Sequence, residues 1–416
     1  MSLFTTTGLL PALLVTLIAL ASARLLVRDT SATDNHEFAS IDGIRGFLAL
    51  FVFLHHSVYW FNYSHLKGWN GSDSGLYNNF GDTSVCLFFM LSGFLFFNKL
   101  LEGRTREIDW LKLFCSRFLR LTPLYITLVG VIVAIIAIES SFIQLEDTKT
   151  LRSNIISWLL FTIPGHPDIN AHGNTHLMVA GVIWTLPYEW FFYFCLPALG
   201  LLVGAKGKAN SGIWLILSVA CILSFSLWQL DSTLLFGFAG GGFAAFVART
   251  PWLRQLHRGK GTNWVLLAGL VIAYTVFDTG NFYYTRLLIL TVCMSFIACG
   301  ANLFGILSSR AARSLSTVSY GIYLMHGLTL YLVLNYGLGS QIAQHLSNFH
   351  YWLVIFVCTP ILVGVSTLSW YWIEWPAIKS VSRLTNALRN FHSAKSNAAP
   401  SISIHGRSDS EEKNNV

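Results

Sequence analysis

The sequence predicts an all-α fold: a polytopic transmembrane bundle of about eleven helices, ten forming a core and one preceding it. Three observations predict it. Of the 416 residues, 54% are hydrophobic and only 11% are Asp, Glu, Lys or Arg, where a soluble domain is about a quarter charged. Runs of 18 or more mostly apolar residues recur along nearly the whole chain, each able to cross about 30 Å of hydrocarbon. Lipid offers an open strand edge no hydrogen-bond partner, so the crossing segments must be helices.

The expected spans fall near residues 8–26, 41–61, 83–101, 119–138, 179–203, 212–230, 232–249, 263–279, 285–307, 316–337 and 352–374. The first carries no Lys or Arg ahead of it, while Arg24 and Arg28 follow it. It therefore reads as a retained anchor rather than a cleaved signal, despite "ASA" at 21–23. Within 179–203, Pro187 is expected to kink or open the helix. The stretch "IISWLLFTI" at 155–163 is too short to cross and is expected to be re-entrant or on the surface. The tail is rich in Ser, Asn and charge and is expected to lack fixed structure. Residues 1–37 are thus an anchor span and linker, 38–378 a membrane domain, and 379–416 a disordered tail.

Positive charge fixes the expected orientation. The segment 99–120 holds Lys99, Arg104, Arg106, Lys112, Arg117 and Arg120, which places it in the cytoplasm. Strict alternation then leaves only Lys67, Lys149, Arg152 and Arg286, of 27 Lys and Arg, on the outside. The N-terminus is outside and the C-terminus cytoplasmic. A net charge of +7 spread between spans in this way is no nucleic-acid signature. The seven cysteines show no CxxC spacing and read as small core residues, with no metal site. His172 and His176 stand four apart, but Gly173 argues against a helix and no third ligand is in view.

Ionisable groups inside spans are costly and mark function by default. In "IDGIRGFLALFVFLHHSVYW", His56 lies about 16 Å deeper than Arg45 and only about 20° from it around the helix. Asp42 stands three residues before Arg45, close enough to pair with it. His55 points about 80° away from Arg45. Ser92, Glu189 and His326 fall at similar depth in their own spans, so the four are expected to meet near one plane. Ser92 and Gly93 read first as helix-packing residues. Arg117 and Arg120, three apart at a helix entry, are either positive-inside anchors or a bidentate phosphate clamp. Glu374 is expected to pair with an Arg near the same membrane face. A transporter, with His56, Glu189 and His326 as a proton relay, is the rival class; it would often show inverted repeats, and none is visible.

Read in order, these segments resemble the acyltransferase 3 family, the multi-span transferases that include O-antigen and nodulation-factor acetylases. The matching pieces are "IDGIRG" with "LHH", "FFMLSGFLF", Arg117, Arg120, Pro123 and Tyr125, "WTLPYEWFFY" with Thr185 for the usual Ser, "SYGIYLMHG" and "YWIEWP". The ten residues between Arg45 and His56 pick out the same histidine as the helical geometry. The resemblance implies an O-acyltransferase of the bacterial inner membrane that moves an acyl group, most often acetyl from cytoplasmic acetyl-CoA, to a hydroxyl. The acceptor it implies is an exported or cell-surface glycan, with a lipid or small hydroxylated metabolite as the alternative. It implies His56 as general base, Glu189 or Asp42 as the group orienting it, and Arg117 and Arg120 on the CoA phosphates. Arg45 would guide the thioester, and His326 would line the acceptor side or itself act as base. With no fused extramembrane domain in view, the chemistry is expected within the bundle or its outer loops.

Overall fold

The computed structural model describes residues 5–28, 39–66, 68–69, 71–208, 211–228, 230–257, 259, 261–277 and 283–397. Among these the chain is helical with no β-strand, and one isolated pairing of Ile108 with Gly207 ties two connections together. The helices in order are α1 (Leu9–Leu26), α2 (Ala39–Leu66), α3 (Gly75–Glu102), α4 (Trp110–Glu139), α5 (Thr148–Leu159) and α6 (Thr185–Val203). There follow α7 (Ser211–Leu223), α8 (Ser232–Arg249), α9 (Pro251–Leu256), α10 (Thr262–Thr275) and α11 (Tyr283–Ala298). The chain ends through α12 (Arg310–Thr317), α13 (Ser319–Leu332), α14 (Ser340–Ala343), α15 (Asn348–Ser369), α16 (Trp375–Lys379) and α17 (Val381–Asn397).

Among the described residues, seven segments are long and apolar enough to cross a membrane, and the pair α12–α13, bent by 65°, makes an eighth if it counts as one span. Helices α7, α10 and α11 are apolar but shorter. Every one of the eleven expected segments holds one of these helices, although several run beyond their apolar stretch. α3, for example, begins at Gly75 and α4 at Trp110, because a helix satisfies its own backbone outside hydrocarbon as well as inside it.

Small residues set the close crossings. A Cβ on Gly93 would lie 2.1 Å from the Phe238 carbonyl oxygen, and one on Gly241 would lie 1.9 Å from that of Met90. The backbones of α3 and α8 therefore touch across paired glycines, as membrane helices lacking a hydrophobic drive to associate tend to do. The "IDGIRG" glycines do the same for α2: Gly43 abuts the Leu307 carbonyl and Gly46 the backbone of Ser316. Gly327, next to His326, lets α13 back onto the Val179–Ala180 backbone. Helix α1 buries Ala12, Val15, Ala19 and Ala23 on one face and leaves Leu9, Leu13 and Leu17 exposed on another.

At the periphery one expectation gains detail and another changes. The stretch around 155–163 joins residues before it in α5, whose start is capped by the Asp147 side chain accepting from the Lys149 and Thr150 amides. The Tyr125 hydroxyl donates to the Trp158 carbonyl at 2.6 Å and fixes α5 to α4. The tail expected to be disordered from 379 instead continues as α17. Arg389 pairs with Asp109 at the start of α4, and Val381 and Thr385 are buried, so the first half of the helix has a surface to dock on. The expectation for residues 398–416 lies outside the described residues.

Candidate functional site

Among the described residues, two cavities reach into the bundle beside the candidate residues. The first, about 530 Å³, opens at the end that carries the basic connections. α2 contributes Asp42 and Arg45 to its wall, α4 contributes Arg117 and Arg120, and α6 contributes Glu189 and Tyr193. Aromatic rings hold the two α4 guanidiniums: Arg117 lies over Phe96 and Arg120 over Trp370, each 5.2 Å from the ring centroid. Arg120 also stands 3.8 Å from the carboxylate of Glu374, so that glutamate does face an Arg at this end. Glu189 accepts a 2.5 Å hydrogen bond from the Tyr193 hydroxyl one turn along the same helix.

Arg28 and Arg313 line the same wall. Both fall between the expected spans and were not read as site residues, and the excess of basic residues at that end was the signal that could have found them. Five guanidiniums thus surround a cavity lined by two carboxylates, Asp42 and Glu189. Such a surface favours an anionic ligand, and arginine forks match phosphate oxygens in pairs.

The second cavity, about 320 Å³, is lined by His55, His56, Asp82, Trp184, Tyr283 and Arg286, among others. Val85 and Tyr323 line both cavities, so a single layer of side chains separates them at that point. The Tyr323 hydroxyl donates to the Val182 carbonyl at 3.1 Å and lies 2.9 Å from the Thr185 hydroxyl. Thr185 thus keeps its hydroxyl on that tyrosine.

The two adjacent histidines differ in partner. His55 packs flat on α3, where Gly81 leaves room for its ring, and its Nδ1 lies 2.8 Å from the Tyr77 carbonyl. His56 faces α13, with its Nδ1 3.1 Å from Nε2 of His326 and 3.0 Å from the Val52 carbonyl. Nδ1 of His326 lies 3.1 Å from the Ile322 carbonyl. These contacts assign the tautomers of the neutral rings, because a carbonyl only accepts. Nδ1 of His326 must carry the proton, which makes its Nε2 an acceptor. Nδ1–H of His56 then donates to it, and Nε2 of His56 keeps its lone pair.

Helical geometry expects Ser92, Glu189 and His326 in one plane with His56. The structure joins only His326 to His56; Ser92 and Glu189, like Asp42, line the first cavity. For Glu189 the preceding backbone gives the reason. Asn174, Ala180 and Gly181 adopt left-handed conformations, and 3₁₀ turns replace the expected helix up to Trp184. α6 starts only at Thr185, so Pro187 sits in its first turn, where a missing N–H has no helical partner to lose. Pro187 therefore begins the helix rather than opening it. Outside both cavities, His172 Nε2 lies 2.6 Å from Glu139, and His176 packs its ring on His166. Among the described residues no three His, Cys, Asp or Glu side chains cluster as metal ligands.

The sequence matches the acyltransferase 3 family, described as an acyltransferase domain, over residues 38–371. It is 25% identical over 331 residues to a peptidoglycan O-acetyltransferase of Listeria monocytogenes, covering 69% of this chain and 48% of that protein. It is 27% identical over 329 residues to nodulation protein 10 of Rhizobium leguminosarum biovar viciae, covering 72% of this chain and 83% of that one. The chain thus spans about half the length of the Listeria relative. No solved structure matches.

Proposed function

Since the chain belongs to the acyltransferase 3 family, we propose that it is a membrane O-acetyltransferase that takes acetyl from cytoplasmic acetyl-CoA and gives it to a glycan hydroxyl on the opposite face. The observation that carries this reading is the pair of cavities meeting at Val85 and Tyr323, one lined by arginines and the other by His56. The Listeria relative's action on peptidoglycan supports a glycan acceptor. The orientation proposed places the arginine cavity in the cytoplasm and the N-terminus outside, in the bacterial cell membrane.

In this reading Arg117, Arg120 and Arg45, with Arg28 and Arg313, hold the CoA phosphates. The thioester passes Val85 and Tyr323 to reach the second cavity. There Nε2 of His56 takes the proton of the acceptor hydroxyl as its oxygen attacks the thioester carbonyl. The imidazolium so formed keeps its Nδ1–H on His326, which is 0% exposed and orients the base from behind rather than touching substrate. Collapse of the tetrahedral adduct breaks the C–S bond, and His56 returns the proton to the CoA sulfur. Acceptor and donor exchange one acetyl group and one proton, and no further reagent is needed.

The test is acetyl transfer from labelled acetyl-CoA to peptidoglycan fragments by purified protein in liposomes. His56→Ala should lose about 10²–10⁴-fold in rate, whereas His55→Ala should keep a large part of it. A His56→Ala protein that is monodisperse and fully active would overturn the assignment.

A further inference from the structure

The second cavity contains a charged pair that proton transfer by His56 does not use. Arg286 of α11 is almost wholly buried, with its side chain 6% exposed, while Asp82 of α3 is 49% exposed; Nη1 of Arg286 lies 3.9 Å from Asp82 Oδ2. That separation is an ion pair but not a hydrogen bond. The firm partner of Arg286 is Asn79, whose Oδ1 accepts from Nη1 at 2.8 Å. Asn79 cannot turn away, because its Nδ2 donates to the carbonyls of Tyr274 at 3.0 Å and Phe277 at 2.7 Å. The guanidinium is therefore held in place from behind.

A charged pair inside a membrane bundle is costly, and a pair built only to clamp α3 to α11 would close to hydrogen-bond distance. Here the carboxylate stays accessible, and the two charges cancel, so the pair gives the chamber no net attraction for an anion. Trp184, 40% exposed, adds a flat apolar surface to the same wall. A carboxylate that accepts, a guanidinium that donates and an indole face together match a ring bearing equatorial hydroxyls and an apolar C–H face. The volume, about 320 Å³, is at the small end of ligand pockets.

We propose that Asp82, Arg286 and Trp184 form a subsite for one uncharged pyranose unit of the acceptor and set acceptor specificity by presenting one of its hydroxyls to His56. Asp82 accepts from ring hydroxyls, Arg286 donates to them, and Trp184 stacks on the sugar face. The inference rests on the acyl-transfer reading for the choice of reacting group, so binding is measured apart from transfer and each can fail alone.

The experiment is calorimetric titration of the full chain in detergent, with saturating CoA present to fill the arginine cavity, using chitotetraose and separately tetragalacturonate as an anionic counterpart. Wild type should bind chitotetraose more tightly than tetragalacturonate. Asp82→Asn and Trp184→Ala should each weaken chitotetraose binding about tenfold or more, as expected for losing a hydrogen bond to a charged group or a stacked ring. CoA binding should be unchanged in both. Two separate variants, each checked for monodispersity, guard against one failing to fold. Unchanged chitotetraose affinity in a folded variant, tighter binding of tetragalacturonate, or no saccharide binding by wild type would each overturn the subsite. Saccharide binding that is lost in the variants, in a wild type that transfers no acetyl group, would uphold the subsite and refute the transferase reading.

Discussion

Replacing His326 tests whether the histidine pair acts as a unit. In His326→Leu the Nε2 acceptor is gone, while the volume of the buried side chain is roughly kept. Nδ1–H of His56 then retains only the Val52 carbonyl at 3.0 Å. A hydrogen bond to a charged group contributes about 1.5–3 kcal/mol, and the imidazolium formed in the transition state is such a group. Because Val52 keeps part of that interaction, the loss should fall at the lower end, about 1.5 kcal/mol, or roughly tenfold in rate. The effect should appear in kcat, with the KM for acetyl-CoA and for acceptor unchanged, since His326 reaches neither cavity wall. His326→Gln offers a side-chain oxygen to the same Nδ1–H and should recover most of the rate. The assay is steady-state acetyl transfer at saturating donor and acceptor, with each variant checked for monodispersity. A His326→Leu enzyme with kcat within threefold of wild type would refute the orienting role of His326, as would a His326→Gln enzyme no better than His326→Leu.

Other expectations follow from the arginine cavity and the ends of the bundle. Replacing Arg117 or Arg120 with Ala should raise the acetyl-CoA KM by roughly ten- to a hundredfold; normal CoA binding by the double variant would leave both as topological anchors. Cysteines introduced at Thr105 and Lys149 should label from opposite sides of sealed vesicles, Thr105 from the cytoplasm, and labelling from one side would break the proposed orientation. Asp109 tests the docking of α17. Burial pushes its carboxyl up, but the bonds from Arg389 and the Lys112 amide outweigh this and hold it below the usual aspartate range. Its contribution should therefore be complete above about pH 4 and vanish as the pH falls through the lowered value. Because this ion pair is partly exposed, Arg389→Ala should speed proteolysis within α17 only modestly, while leaving acetyl transfer intact; unchanged proteolysis would mean that Val381 and Thr385 alone hold the helix.

The sequence made the helices legible because lipid allows one solution, and long apolar runs announce it without help from tertiary contacts. Three of the five arginines of the first cavity were legible for a related reason, since Arg45, Arg117 and Arg120 fall near the starts of apolar runs, where charge stands out. Partnership was harder to read. Depth along a span places a residue only if the helix is continuous, and the left-handed backbone at Ala180 and Gly181 broke that assumption ahead of Glu189. His56 and His326 belong to two regular helices in close contact, so their depths matched and they met. Asp82 went unread because it lies at 82, just ahead of the run beginning at 83, and Arg286 because it was counted with the outer side as a span-end cation. Both stand where apolar counting stops but the bundle continues. A glycan-facing chamber needs polar groups at that depth, so an apolar-run criterion is least sensitive where the proposed acceptor would enter.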